Sequence, residues 1–112
     1  MLVAWTTTGN RADADRLARG AVEHRLAVCA QVDGPITSHY HWQGKPERTE
    51  EFRIWFKCLP ANASALSNWV HRHHPYETPE WIEVSAESVG EKYLSWAIAN
   101  STPAPFPTSN QP

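Results

Sequence analysis

Cysteine is scarce in this chain: two residues, Cys29 and Cys58, among 112. They stand singly, with no CxxC or zinc-ribbon spacing, so neither a disulfide framework nor a cysteine-based metal module can be read from them. Both lie in apolar, strand-like patterns, where cysteine is most often a small buried hydrophobe, and reduced thiols are expected. Long hydrophobic runs are missing too. No segment approaches the ~20 apolar residues that span a bilayer, and the short run Met1–Trp5 has no basic flank of the signal-peptide kind. A soluble, cytoplasmic chain without a membrane partner is the expectation. No basic cluster occurs either: ten Lys and Arg stand against twelve Asp and Glu, for a net charge of −2. Nucleic acid is thereby disfavoured as a partner, because nothing is present to displace phosphate counterions. There is no phosphate-cradling glycine loop and no HExxH. Ser38, Ser64 and the cysteines lack an evident base and orienting group, so an enzyme is not expected, nor an organic cofactor.

What the chain does carry is an aromatic-rich, alternating stretch, Val28 to Leu59, that reads as one long β-hairpin. Phe52, Ile54, Phe56 and Cys58 fall on one face and Glu51, Arg53, Trp55 and Lys57 on the other, the period of a strand with one face in a core. The near arm sets Ile36, Ser38, Tyr40 and Trp42 against Thr37, His39 and His41. Gly44, after Gln43, marks the reversal. A bare two-residue loop would pair Trp42 with Lys45 and Ile36 with Glu51, placing an apolar face beside a charged one. A three-residue loop with Gly44 in the left-handed region restores the match, so a bulged turn is predicted there. Arms longer than the typical ~5–6 residues would project beyond their own core. The projecting part holds His39, Tyr40, His41, Trp42 and Trp55, and such a ribbon asks for a partner chain. The plainer alternative is a ragged hairpin standing in water.

The remaining elements follow in order. Leu2–Thr8 reads as a buried strand. Asn10 can cap a helix whose apolar stripe is Ala14, Leu17, Ala18, Ala21 and Val22, with Gly20 suggesting close packing on a sheet. Leu26–Val32 is a strand interrupted by Gly34-Pro35, and a proline there belongs at an edge or a bulge. Asn62 or Ser64 opens a second helix, which His74-Pro75 ends because the residue before proline leaves the helical region. Trp81–Val84 reads as a fourth strand, and Glu91–Asn100 as a last helix with Tyr93, Leu94, Trp96, Ala97 and Ile98 on its apolar face. The order βαββαβ plus a C-terminal helix predicts an α+β, ferredoxin-like domain over residues 1–100: a four-stranded antiparallel sheet, two helices on one face, and a long β2–β3 hairpin. The proline-rich segment 101–112 is expected to be a disordered tail.

Several separated motifs carry a resemblance. Ser38-His-Tyr40-His-Trp42-Gln-Gly44, Glu51, Lys57, His74-Pro-Tyr-Glu-Thr-Pro-Glu80 and Tyr93-Leu-Ser-Trp96 fall in the order of the divalent-cation-tolerance (CutA) family. Arg25-Leu-Ala-Val-Cys29 fits the same pattern, and the resemblance spans about residues 2–100. It implies a ferredoxin-like homotrimer with interlocking hairpins, a link to copper and other divalent metal ions and to the response to them, and no established catalysis. A small-molecule sensor or assembly module like the PII-type trimers, with metal binding incidental, is the alternative. The chain departs from the pattern at Thr6, near which some members carry a cysteine. Without that thiolate a soft Cu(I) site is not expected, and Cys29, though it matches a recurrent cysteine, is expected to point into the core.

The candidate site residues follow from this frame. His39 and His41 project from one strand face, either solvated or as a ligand pair. His74 sits where histidine, tyrosine, carboxylates and two prolines concentrate, with Pro75 and Pro79 stiffening the turn. Two readings stand there: a structural turn at a subunit contact, or a metal site of His74 with Glu77 or Glu80 holding Cu(II) or another divalent ion weakly. Tyr40, Trp42, Glu51, Lys57, Tyr76 and Trp96 could line an intersubunit cleft for a small anionic ligand, with Glu51 or Glu80 as counter-charge to Lys57. An interface salt bridge inside an aromatic collar is the simpler account of the same residues.

Overall fold

The computed structural model describes residues 1–101, so all but Ser101 of the predicted tail lies outside the described residues. The chain forms β1 (Leu2–Thr8), α1 (Arg11–Glu23), β2 (Cys29–Trp42), β3 (Lys45–Cys58), α2 (Ala63–His73), β4 (Ile82–Ser85) and α3 (Glu91–Ala99), with one 3-10 turn at Pro60–Asn62. The strands make a single antiparallel sheet in the order β2-β3-β1-β4. This is the expected α+β, ferredoxin-like arrangement with the long β2–β3 hairpin.

Local chemistry accounts for the helix limits. The Asn10 side chain accepts a hydrogen bond from the Asp13 amide at 2.8 Å, satisfying one orphan donor of α1. α2 stops where His74 turns extended (φ −73°, ψ 138°) ahead of Pro75. Both helices lie on one sheet face. Leu17 and Ala21 of α1 and Leu66 and Val70 of α2 bury against Ala4, Ile54 and Phe56, all fully or almost fully excluded from solvent. Gly20 does provide close packing, but against the second helix and not the sheet: a Cβ there would stand 2.5 Å from the Trp69 ring.

The hairpin corrects two expectations. Its reversal is the bare two-residue loop, with Gln43 and Gly44 both at positive φ (52° and 80°) and Trp42 paired with Lys45. Paired positive-φ residues match the twist of the flanking strands, so no bulge is needed at the turn. The bulge lies instead at Gly34-Pro35, two residues opposing the single Phe52 between the Asp33–Arg53 and Ile36–Glu51 pairs. Below it, Ala30 and Val32 pair with Phe56 and Ile54 on the helix-covered face. Above it the parity of β2 reverses, and Ile36, Ser38, Tyr40 and Trp42 share the opposite, open face with Glu51. Cys29 is the second correction. Pairing with Lys57 puts it on the open face, half-buried, with its side chain hydrogen-bonded to Tyr93, whereas Cys58 is buried on the helix side.

β1 pairs with β3 only over Phe52–Cys58, so the hairpin beyond Glu51 has no third strand beside it. Each arm is 14 residues long, roughly 46 Å at ~3.3 Å per residue, close to the 50 Å longest dimension of the molecule. The open face carries Val3, Trp5 and Trp55, which are partly buried, and Ile82 and Val84, which are exposed, as are Trp96 and Ile98 of α3.

Candidate functional site

The turn after α2 folds back against the base of the projecting hairpin and encloses a cleft of about 700 Å³. Tyr40, Trp42, Glu51, Tyr76, Glu77 and Glu80 are among its lining. His74 anchors the turn from behind. Its Nε2–H donates to the Thr7 carbonyl at 2.9 Å, with Thr6 Oγ1 at 3.0 Å, and its Nδ1 accepts from the Tyr76 amide at 3.0 Å. Because a carbonyl can only accept, the proton sits on Nε2 and the ring is neutral. Burial, above all, holds the His74 pKa below the usual histidine range, against the hydrogen bond to Thr7 that favours the charged form.

Tyr76 then reaches across the cleft, its hydroxyl donating to Glu51 Oε2 at 2.9 Å. Burial and the neighbouring carboxylate push the phenol well above its ordinary value, so Tyr76 remains a donor throughout the physiological range. Glu80, at the far end of the turn, accepts from the Trp5 indole at 2.8 Å. Trp5 packs on Trp55 (ring centroids 5.0 Å apart), and the Arg53 guanidinium lies 4.8 Å above the Trp55 ring while its nitrogens hold Asp33 at 3.2 and 2.8 Å. The cleft therefore opens onto a continuous aromatic platform on the open sheet face.

Four of the six residues expected in the cleft are brought together within one protomer: Tyr40, Trp42, Glu51 and Tyr76. Lys57 and Trp96 stand apart. Lys57 and Glu51 do share a strand face but are six residues apart, roughly 20 Å along the strand, and the Lys57 ammonium is held by Gln31. Trp96 stacks on Tyr93 in α3, with ring centroids 5.5 Å apart. Glu77 and Glu80 are exposed at the cleft, but His74 lies behind the turn with both ring nitrogens engaged. Among the described residues no three His, Cys, Asp or Glu side chains gather as a metal cage. As arranged, the donors do not form a closed divalent-ion site; carboxylate oxygens face the cleft and the imidazole does not.

Thr6, Thr7 and Trp5 went unassigned in the sequence reading, yet they fix His74 and Glu80. Nothing local announces them, since the partners lie 67, 68 and 75 positions away. The parity of β1 was the available signal: Thr6 faces the helices and Thr7 the open side.

Fold and cleft together define a ferredoxin-like domain whose long ribbon supplies one wall of its own cleft. The CutA1 divalent ion tolerance protein model matches residues 2–100. A CutA homolog of Xenopus laevis is 40% identical over 93 residues, 83% of this chain and 62% of that protein's length. A divalent-cation tolerance protein CutA of Yersinia pestis is 33% identical over 99 residues, 88% of this chain and 83% of that protein. The structure of CutA from Synechococcus elongatus superposes with a TM-score of 0.86 at 32% identity, covering 90% of this chain and 89% of that one. The chain belongs to the CutA1 divalent ion tolerance protein family, a family of non-enzymatic proteins.

Proposed function

We propose that the chain acts in the cytoplasm as a homotrimeric divalent-cation-tolerance protein, its cleft completed by a neighbouring copy and holding divalent cations weakly. The observation that carries this reading is the uncovered face. Trp5, Trp55, Ile82 and Val84 run on into Tyr40 and Trp42 of the ribbon, with Trp42 still 56% exposed. Contiguous apolar surface of this kind marks an interaction site. The ribbon projects beyond the sheet while the rest of the face stays at its base, so contact of one copy's ribbon with another copy's face is head-to-tail, an arrangement that makes a ring when the rotation between copies closes. Three as the number of copies comes from the family resemblance. No helix of the described residues is long and apolar enough to cross a membrane.

Glu51, Glu77 and Glu80 give the cleft an acidic character, and Lys57 does not reach it, which favours a cation over the anionic ligand. A Cu(II) or other divalent ion would meet Glu77 and Glu80 first, and His74 only if Nδ1 gave up the Tyr76 amide, which accounts for weak binding. The cavity size and its aromatic walls also suit a small organic cation.

Sedimentation equilibrium of the full chain at micromolar concentration tests the assembly. A ring of three is expected, and Trp42→Ala should weaken it by about 2 kcal/mol or more if the indole is a buried anchor. A monomer with water-exposed tryptophan emission would refute the reading.

A further inference from the structure

The six histidines of the chain sort by what their ring nitrogens do. His24, His71 and His73 each turn Nδ1 onto the carbonyl four residues earlier, at 2.8 Å from Gly20, Ser67 and Trp69. His74 uses both nitrogens. His39 and His41 are different. Both are exposed, and neither ring makes a hydrogen bond or ion pair among the described residues.

Their placement is set by the bulge and by the tight turn. Beyond Gly34-Pro35 the register puts Thr37, His39 and His41 on one face with Glu50, Arg48 and Pro46, opposite the face that carries Tyr40 and Trp42. The ladder holds two such residues about 6.7 Å apart along the strand, so their side chains stand parallel. Two imidazoles from that spacing can converge on one metal at ~2.0–2.1 Å each. Pairing to β3 on one side keeps the strand extended up to the two-residue turn, which limits the conformational cost of closing the chelate.

We propose that His39 and His41 form a two-imidazole chelate for a divalent transition metal, Cu(II) before Zn(II), with water filling the remaining positions. Imidazole is a borderline ligand suited to both ions, and the usual order of divalent stabilities places Cu(II) first. Two charged side chains face the pair from β3. Arg48, directly across from His39, works against a bound cation, and Glu50, diagonal to it, offsets this. The site lies within one hairpin and needs no second copy of the chain; His39 also borders the cleft beside Ser38 and Tyr40, so the cleft carboxylates are tested separately.

The test is a Cu(II) titration of the full chain followed by electron paramagnetic resonance, with Zn(II) in parallel. Nitrogen hyperfine splitting from two imidazoles is expected, with Zn(II) binding more weakly. A tethered second ligand acts at high effective concentration, so His39→Gln or His41→Gln should each weaken Cu(II) by about a hundredfold, while His73→Gln leaves it unchanged. Both rings are exposed, so these variants are expected to keep the fold. Wild-type affinity in the His39→Gln/His41→Gln double variant would overturn the proposal. So would loss of binding in Glu77→Gln/Glu80→Gln with the histidine pair intact, which would place the ion in the cleft. Sedimentation of the same samples reads the assembly separately, so one idea can fail without the other.

Discussion

Replacing Gly34 by alanine attacks the bulge that decides which way the outer hairpin faces. Gly34 has φ +144°, a conformation that L side chains rarely adopt, and an added Cβ would stand 2.7 Å from Phe52 Cδ2 and 3.0 Å from the Glu51 carbonyl oxygen. Backbone strain of this kind costs about 1–3 kcal/mol, and forcing a methyl into an occupied space adds about 1–3 kcal/mol. The expected loss is therefore about 2–6 kcal/mol, a large part of the ~5–15 kcal/mol that holds a typical domain together. Urea unfolding at one fixed chain concentration measures it, the concentration being held because the proposed assembly would contribute to apparent stability. With a slope of about 2 kcal/mol per molar, the middle of the usual urea range, the midpoint should fall by roughly 1–3 M. The same substitution in a Phe52→Ala background separates the two sources: the ring clash disappears there and the backbone clash with Glu51 remains, so the cost should shrink without vanishing. A loss below about 0.5 kcal/mol, the range of an ordinary surface substitution, would refute the account. An equal loss in both backgrounds would remove the ring from it.

Two other outcomes follow from the titratable groups. His74 is held neutral in the fold with its pKa lowered from 6.5; the unfolded chain then binds the proton first, so metal-free stability should fall as pH drops through about 6.5 and level off below the folded pKa. His74→Gln, whose amide can still donate to the Thr7 carbonyl, should flatten that slope, and an unchanged slope in urea titrations at several pH values would count against His74 as its origin. Burial, with Glu83 adding to it, pushes the Cys58 thiol up to about 11, and the side chain is 1% exposed. Iodoacetamide at pH 8 should therefore label half-buried Cys29 first and reach Cys58 only on unfolding, as peptide mass mapping would show; equal rates in the native protein would contradict the placement of the two thiols.

Element types and their order were legible because each rests on a local signal: the Asn10 cap, the proline after His74, the alternation of Phe52, Ile54 and Phe56. Cys29 was misplaced because alternation alone gives two parities, and only pairing with Lys57 decides between them. Gly20 was read as small for the sheet when it is small for Trp69, a partner 49 positions away by number that no spacing rule names. Lys57 was joined to Glu51 because they share a face, although a shared face says nothing about distance along a strand. The cleft was half legible for the same reason. Its aromatic and acidic walls lie in compact motifs, whereas Thr6, Thr7 and Trp5, which fix His74 and Glu80, belong to a strand whose motif is only a run of threonines.

The register conflict noticed in the sequence was real, and its resolution shows how the chain works. Pairing Ile36 with Glu51 does set the apolar side of one arm beside the charged side of the other. A bulged turn would have removed the conflict along the whole hairpin and sent Ile36, Tyr40 and Trp42 to the helix-covered face, where beyond Glu51 no helix waits for them. The bulge at Gly34-Pro35 confines the correction to the inner half, where Ala30 and Val32 are needed in the core, and leaves the outer aromatics on the side of Trp5 and Trp55. One inserted residue thus gives the molecule a buried inner face and a continuous open one, and puts Tyr40 and Trp42 in the wall of the cleft. It also turns His39 and His41 outward together. Core, cleft and histidine pair all depend on where that residue is inserted, which is why Gly34 is the position at which to test them.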